Sequence, residues 1–181
     1  TRQVDIFHGA TKFQAQFTCD YSEDGPANSC YCPNCIPDAS FHLFVDECLA
    51  EAGAEVTGEC TTWASEKLAI EGKNYSTMPN WDTILVSDMS GISRNMSGAT
   101  YGAWQFQGFS NKRSFNGDIS RWDTSSVTNM YAMFSYASAF NTSITSWDTS
   151  QVKSMREMFL SAKSFNQDIS SWTGTAANTV Q

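Results

Sequence analysis

One nine-residue phrase occurs three times at a fixed 25-residue interval. "SFNGDISRW" begins at Ser114, "AFNTSITSW" at Ala139 and "SFNQDISSW" at Ser164. Aligned on Phe115, Phe140 and Phe165, the copies also superimpose Asn116/Asn141/Asn166, Ile119/Ile144/Ile169 and Trp122/Trp147/Trp172. Two copies run on as "WDTSSVTNMYAMF" and "WDTSQVKSMREMF", placing Val127/Val152, Met130/Met155, Met133/Met158, Phe134/Phe159 and Ala137/Ala162 at the same spacing. A damaged earlier copy, "WDTILVSDMSGI", starts at Trp81. The step from its Trp81 to Phe115 is longer than the equivalent steps from Trp122 to Phe140 and from Trp147 to Phe165, so extra chain is inserted, near 95–110. After Trp172 the pattern decays into "TGTAANTVQ".

A repeat of this length is a structural unit that cannot bury its apolar set alone, so successive units must stack. The expected fold is therefore an α/β repeat, a short solenoid with Trp, Ile and Phe ladders in its core. The Met-x-x-Met-Phe spacing predicts a short helical turn facing inward. The "DISxW" and "VTxM" pieces predict short extended segments adding to parallel sheets from coil to coil. The Asn after each Phe and the "DTS" after each Trp suit turns and helix caps, because their short polar side chains bond nearby backbone groups.

The consensus of these copies, "FNxDIxxWDTSxVTxMxxMFxxA", resembles the BspA-like leucine-rich repeat family, in the form found in bacterial surface lipoproteins and in algal and protist proteins. The likeness covers residues 81–172. It implies a leucine-rich-repeat-like solenoid that binds proteins or serves surface adhesion, without catalysis. The chain departs from the pattern in its small number of coils and in its insertion, so its concave surface is short.

The remainder is of a different kind. All six cysteines, Cys19, Cys30, Cys32, Cys35, Cys48 and Cys60, precede residue 61, and an even count so concentrated reads as a disulfide framework. "SFHLFVDECLAEAG" from Ser40 predicts a helix capped by Ser40, with Phe41, Phe44, Val45 and Cys48 on one face and Gly53 at its end. "ECTTWASEKLAIEG" predicts a second, capped by Thr61 or Thr62 and stopped at Gly72. Cys48 and Cys60 flank the connection and can tie the two together. The expected organisation is a helical, disulfide-bonded N-terminal cap over 1–75 and the solenoid over 76–181.

Charge and hydropathy narrow the partners. The net charge of −8 lies entirely in residues 1–80, which hold 12 acids and 4 bases, against 7 of each beyond. No basic stripe exists to neutralise phosphates, which argues against nucleic acid and anionic lipid. No apolar run approaches the ~18 residues of a transmembrane helix. The cysteines point to an oxidising compartment: secreted, at the cell surface, or in an organelle lumen such as that of a plastid. A start at Thr1 and sequons at Asn74, Asn95 and Asn141 fit a processed, exported product.

Several motifs could carry chemistry. "CYCPNC" offers Cys30, Cys32 and Cys35 to zinc, with Cys19, Cys48 or a histidine completing the set. Cys32-x-x-Cys35 also has the form of a redox pair. The competing reading, structural disulfides, is favoured by the cysteine count and by the lack of a second paired cluster. His42 sits in a predicted helix and His8 is the other histidine; no G-x-S-x-G elbow accompanies them. Asp82, Asp123 and Asp148, with Asp118 and Asp168, could form a calcium-binding ladder but suit turn duty better. No enzyme activity and no cofactor are expected.

Partner-binding candidates come from two places. Arg121, Tyr131, Gln151, Lys153 and Arg156 stand where otherwise matched copies differ, so they are expected to face solvent. Tyr101, Trp104, Phe106 and Phe109 make the insertion aromatic, so it either folds back on the core or docks a partner. The expected function is protein–protein interaction, as a structural or linker subunit within a larger assembly or as a secreted or surface-bound adhesion module. A zinc or thiol-redox protein built on Cys30, Cys32 and Cys35 is the third reading.

Overall fold

In the computed structural model, described for residues 18–19, 30–93, 105–174 and 176, the cysteine-bearing half is helical and the repeat half is built from turns. Helix α1, Phe41–Ala50, buries Phe41, Phe44, Val45, Cys48 and Leu49 along one stripe, the spacing an amphipathic helix requires. The Ser40 side chain does not cap it; a 3-10 turn, Asp38–Ser40, leads in. Helix α2, Ala54–Thr57, is a single turn between the left-handed Gly53 and Gly58. Helix α3, Thr61–Glu71, stops at the left-handed Gly72, whose N–H donates to the Leu68 carbonyl. Its free first-turn N–H groups are met from a distance: Thr62 and Trp63 donate to the Glu51 carboxylate at 3.1 and 2.9 Å.

A disulfide between Cys48 and Cys60, Cα atoms 5.2 Å apart, pins α1 to the start of α3. A second joins Cys32 and Cys35. Ahead of it, strand β1, Thr18–Cys19, pairs antiparallel with β2, Cys30–Tyr31, and brings the backbones of Cys19 and Cys30 opposite each other. The disulfides fit an oxidising environment. Among the described residues no helix is long and apolar enough to cross a membrane.

The expected α/β solenoid, leucine-rich-repeat-like with sheets between coils, does not form. Among the described residues, no α-helix follows α3. The only strands described beyond it are β3, Ile92–Ser93, and β4, Gln105–Phe106, which pair antiparallel with each other at the two ends of the insertion. Between layers the described bridges are isolated and parallel, Asp88↔Asn129 and Asn129↔Ser154.

The reason lies in the segment that the Met spacing made look helical. Ala132 and Glu157 adopt φ of 52° and 60°, and Tyr136 and Ser161 adopt 60° and 59°, left-handed values that recur at matching points of successive layers. An α-helix cannot pass through such residues. Backbone N–H groups alternate in direction as a result. Those of Met130, Ala132, Phe134 and Tyr136 donate to Ser154, Arg156, Met158 and Leu160 of the next layer at 2.7–2.9 Å. Those of Met133, Ser135 and Ala137 close local turns onto Met130, Ala132 and Phe134. Donors thus alternate between the next layer and the local turn, which satisfies the backbone without a helix or a continuous strand ladder.

Side chains set the register of these turn-built layers. Trp81 stacks on Trp122 at 6.0 Å and 9°, and Trp122 on Trp147 at 6.4 Å and 1°. Phe115, Phe140 and Phe165 stack likewise at 6.1 and 5.9 Å. From Trp122 onward the indole N–H donates one layer back: Trp122 to the Met78 carbonyl, Trp147 to Ile119 and Trp172 to Ile144. Buried Thr83, Thr124 and Thr149 donate one layer forward, to the carbonyls of Asp123, Asp148 and Thr173.

One apolar core runs through both halves. Phe41 of α1 meets Trp122 edge-on at 5.7 Å, and Trp63 of α3 meets Trp81 at 5.3 Å. Polar ties frame this junction. Ser87 donates its N–H and hydroxyl to Asp38, His42 Nε2 lies 2.7 Å from the Ser90 carbonyl, and Lys112 pairs with Asp46 at 2.7 Å. The helical half thus covers the first layer's apolar end.

Candidate functional site

The recurring apolar positions are buried or half-buried, and several of the variable positions are exposed. Trp122, Val127, Met130, Val152 and Met155 are buried, while Arg121, Ser126, Gln151, Lys153 and Arg156 are exposed. Inter-layer bonds align them into columns. The Thr128 N–H donates to the Ser87 carbonyl and the Lys153 N–H to the Thr128 carbonyl, so 87, 128 and 153 line up along the stack. Next to this column, the Ala132 N–H donates to Arg156, which sets Tyr131 beside Arg156. The half-buried Tyr131 hydroxyl donates to Glu157 Oε2 at 3.1 Å, and Arg156 Nε pairs with Glu157 Oε1 at 3.2 Å. The strip 126–131 and 151–156 therefore presents Tyr131, Gln151, Lys153 and Arg156 on adjoining layers. Arg121, in a different column, stands apart from it.

The insertion divides. Tyr101 and Trp104 lie outside the described residues, and Phe106 is described by its backbone alone, paired with Ile92. Phe109 is 1% exposed and packs against Phe41, Phe115, Trp122 and Phe134. It precedes Phe134 by one repeat period, as Phe134 precedes Phe159, and so is the first layer's member of that column. The spacing was the signal that assigns it to the core. The Met89 N–H donates to the Asn129 carbonyl and the Gly91 N–H to that of Tyr131, and Phe109 meets Phe134, so the first layer is in register at Gly91 and again at Phe109.

The aspartate ladders serve turns. Asp82, Asp123 and Asp148 accept the N–H of Ile84, Ser125 and Ser150, and Asp118 and Asp168 accept that of Ser120 and Ser170, at 2.9–3.2 Å. Serine hydroxyl and N–H groups hold the Asp118 and Asp148 carboxyls below the usual aspartate range. His42 is engaged with Ser90, and His8 lies outside the described residues.

Asp82 differs from the other four. It pairs with Cys35 across a parallel bridge, its carbonyl accepts the Ile36 N–H at 2.8 Å, and its Oδ2 lies 3.9 Å from Cys32 Sγ. Burial raises its pKa; the Ile84 N–H pulls the other way, and the like charge of Asp123 adds to the rise. The two sulfurs and the carboxylate lie within 4.8 Å of one another. As a disulfide the sulfurs offer no thiolate, so the oxidised pair is not a zinc ligand set. The backbone of Cys30 lies in β2, opposite Cys19.

Sequence reasoning did not anticipate two exposed apolar side chains on α3, Leu68 and Ile70, the latter by 81%. Of the sequons, Asn74 is exposed, Asn95 is outside the described residues, and Asn141 Oδ1 accepts the Asn166 N–H at 2.8 Å.

Residues 103–181 match the family model DUF285, described as a Mycoplasma protein of unknown function. No curated protein and no solved structure matches the chain.

Proposed function

We propose that the chain is a non-enzymatic protein-interaction module that uses the outward strip of its stacked layers to hold a partner, as a structural or linker subunit of a larger assembly. One observation carries this reading. The apolar side chains that recur from copy to copy, Trp122, Val127, Met130, Val152 and Met155 among them, are buried in the stack, whereas Gln151, Lys153 and Arg156, which replace other residues of the matching copy, stand exposed in adjoining columns. A surface that varies on an invariant frame suits recognition, with Arg and Tyr the residue types that anchor interfaces. The repeat's resemblance to BspA-like proteins, whose members bind proteins at surfaces, supports the same reading, and the match over 103–181 is compatible with it.

The test is native purification with cross-linking mass spectrometry. A stoichiometric protein partner cross-linked through Lys153, and released by Lys153→Glu with Arg156→Glu, is the expected result. A chain that purifies alone, or a partner indifferent to both changes, overturns it.

A second reading, a secreted or cell-surface binding module, is favoured by the disulfides. Glycan on the exposed Asn74 marks it.

A further inference from the structure

We infer that Cys32–Cys35 is an exchangeable disulfide, opened by an external thiol and served by Asp82 as proton donor and acceptor. Nothing in the interaction function requires this. The inference rests on how differently the two described disulfides are placed.

Cys48 and Cys60 are both fully buried, and their bond, with a sequence separation of 12, fixes α1 against α3. Cys32–Cys35, with a separation of 3, closes the shorter loop and constrains the unfolded chain less. Its sulfurs are unequal. Cys32 is half-buried, whereas Cys35 is 2% exposed. An incoming thiolate thus reaches Cys32, and Cys35 is the leaving group. A thiolate expelled into a buried position needs a proton, and Asp82 stands within 4.8 Å of both sulfurs. Burial favours the protonated form of Asp82, and Asp123 on the next layer is the like charge facing it.

The external thiolate forms a bond to Cys32 Sγ, the Cys32–Cys35 bond breaks, and Cys35 departs with the electron pair. It takes the Asp82 carboxyl proton. A second external thiol then attacks the mixed disulfide, leaves as an external disulfide, and frees Cys32. Two electrons enter the protein pair, two external thiols are oxidised, and Asp82 regains its proton from water. In reverse, the Asp82 carboxylate accepts the Cys35 thiol proton.

The test uses the intact chain with reduced glutathione, quenched alkylation and peptide mass spectrometry. Cys32–Cys35 is expected to open at least tenfold faster than Cys48–Cys60. Protonated Asp82 assists, whereas ionised Asp82 repels the incoming thiolate. The wild-type rate relative to Asp82→Asn should therefore fall as pH rises through the Asp82 titration. Should Asp82→Asn fail to fold, the wild-type rate corrected for glutathione thiolate carries the same fall. Equal opening of both disulfides, a ratio independent of pH, or a flat corrected rate overturns the inference.

Discussion

Trp147 lies flat over Trp122, ring planes 1° apart and centroids at 6.4 Å, while its indole N–H reaches back to the Ile119 carbonyl at 3.1 Å. Each tryptophan therefore contributes buried area and a hydrogen bond to the layer beneath it. Trp147→Ala should cost about 3–5 kcal/mol, the range for truncating a buried aromatic. Trp147→Phe keeps most of the stack and should cost less, with the Ile119 carbonyl left short of a donor. Urea denaturation measures both; a Trp147→Ala loss no larger than that of an exposed site such as Ser126→Ala would contradict the stacking.

Thr124 is 1% exposed and donates its hydroxyl to the Asp148 carbonyl at 3.0 Å. Thr124→Val preserves shape and strands that carbonyl, at a cost of about 1–3 kcal/mol. Ser135 Oγ offers the opposite case, being buried without a hydrogen-bond partner. Ser135→Ala should be neutral or stabilising. The pair distinguishes a bonded buried hydroxyl from an unbonded one by the sign of the shift in denaturation midpoint.

Gly91 and Gly117 are sites where backbones nearly touch. A Cβ on Gly91 would overlap the Ala132 carbonyl, and one on Gly117 the Thr57 carbonyl. Neither needs a left-handed conformation, so the restriction is one of space alone. Alanine at either should cost about 1–3 kcal/mol through forced backbone shifts. Gly117→Ala should also loosen the junction of α2 with the layers, read as faster amide exchange at Asn116, whose N–H donates to Val56.

Glu51 makes stability depend on acid. The Trp63 N–H is the largest influence holding its pKa below the ordinary 4.5, with the Thr62 N–H adding to it. A pKa depressed by folding means stability present above 4.5 and lost as pH falls through the lower folded value. Glu51→Gln should lower stability at neutral pH and flatten its dependence in acid. Thermal melts on a series from neutral to acidic pH would show this as converging wild-type and variant midpoints.

What the sequence discloses here follows from how each feature is encoded. The Trp and Phe columns are legible because burial against an identical neighbour demands identical residues at one interval. Gly72 as a helix stop is legible because a left-handed C-cap favours glycine. The turn between Met130 and Met133 is not, since its left-handed position is Ala132, with Glu157 one layer on, and neither residue type advertises that conformation. Inter-layer hydrogen bonds impose it. Glu51 as the cap of α3 escaped local reading for a similar reason: the carboxylate comes from the end of α1, not from Thr61. The closeness of Asp82 to Cys32, far apart along the chain, exists only once the helical half sits on the first layer.

The surplus chain between Gly91 and Phe109 shows what this architecture tolerates. Every bond from one layer to the next presumes a partner at a set count along the chain, so added length must leave the stack sideways and return to the same seat. Such a molecule changes size in quanta. Evolution or engineering can splice whole periods in or out, whereas a small gain or loss inside a period would put every later seat out of step.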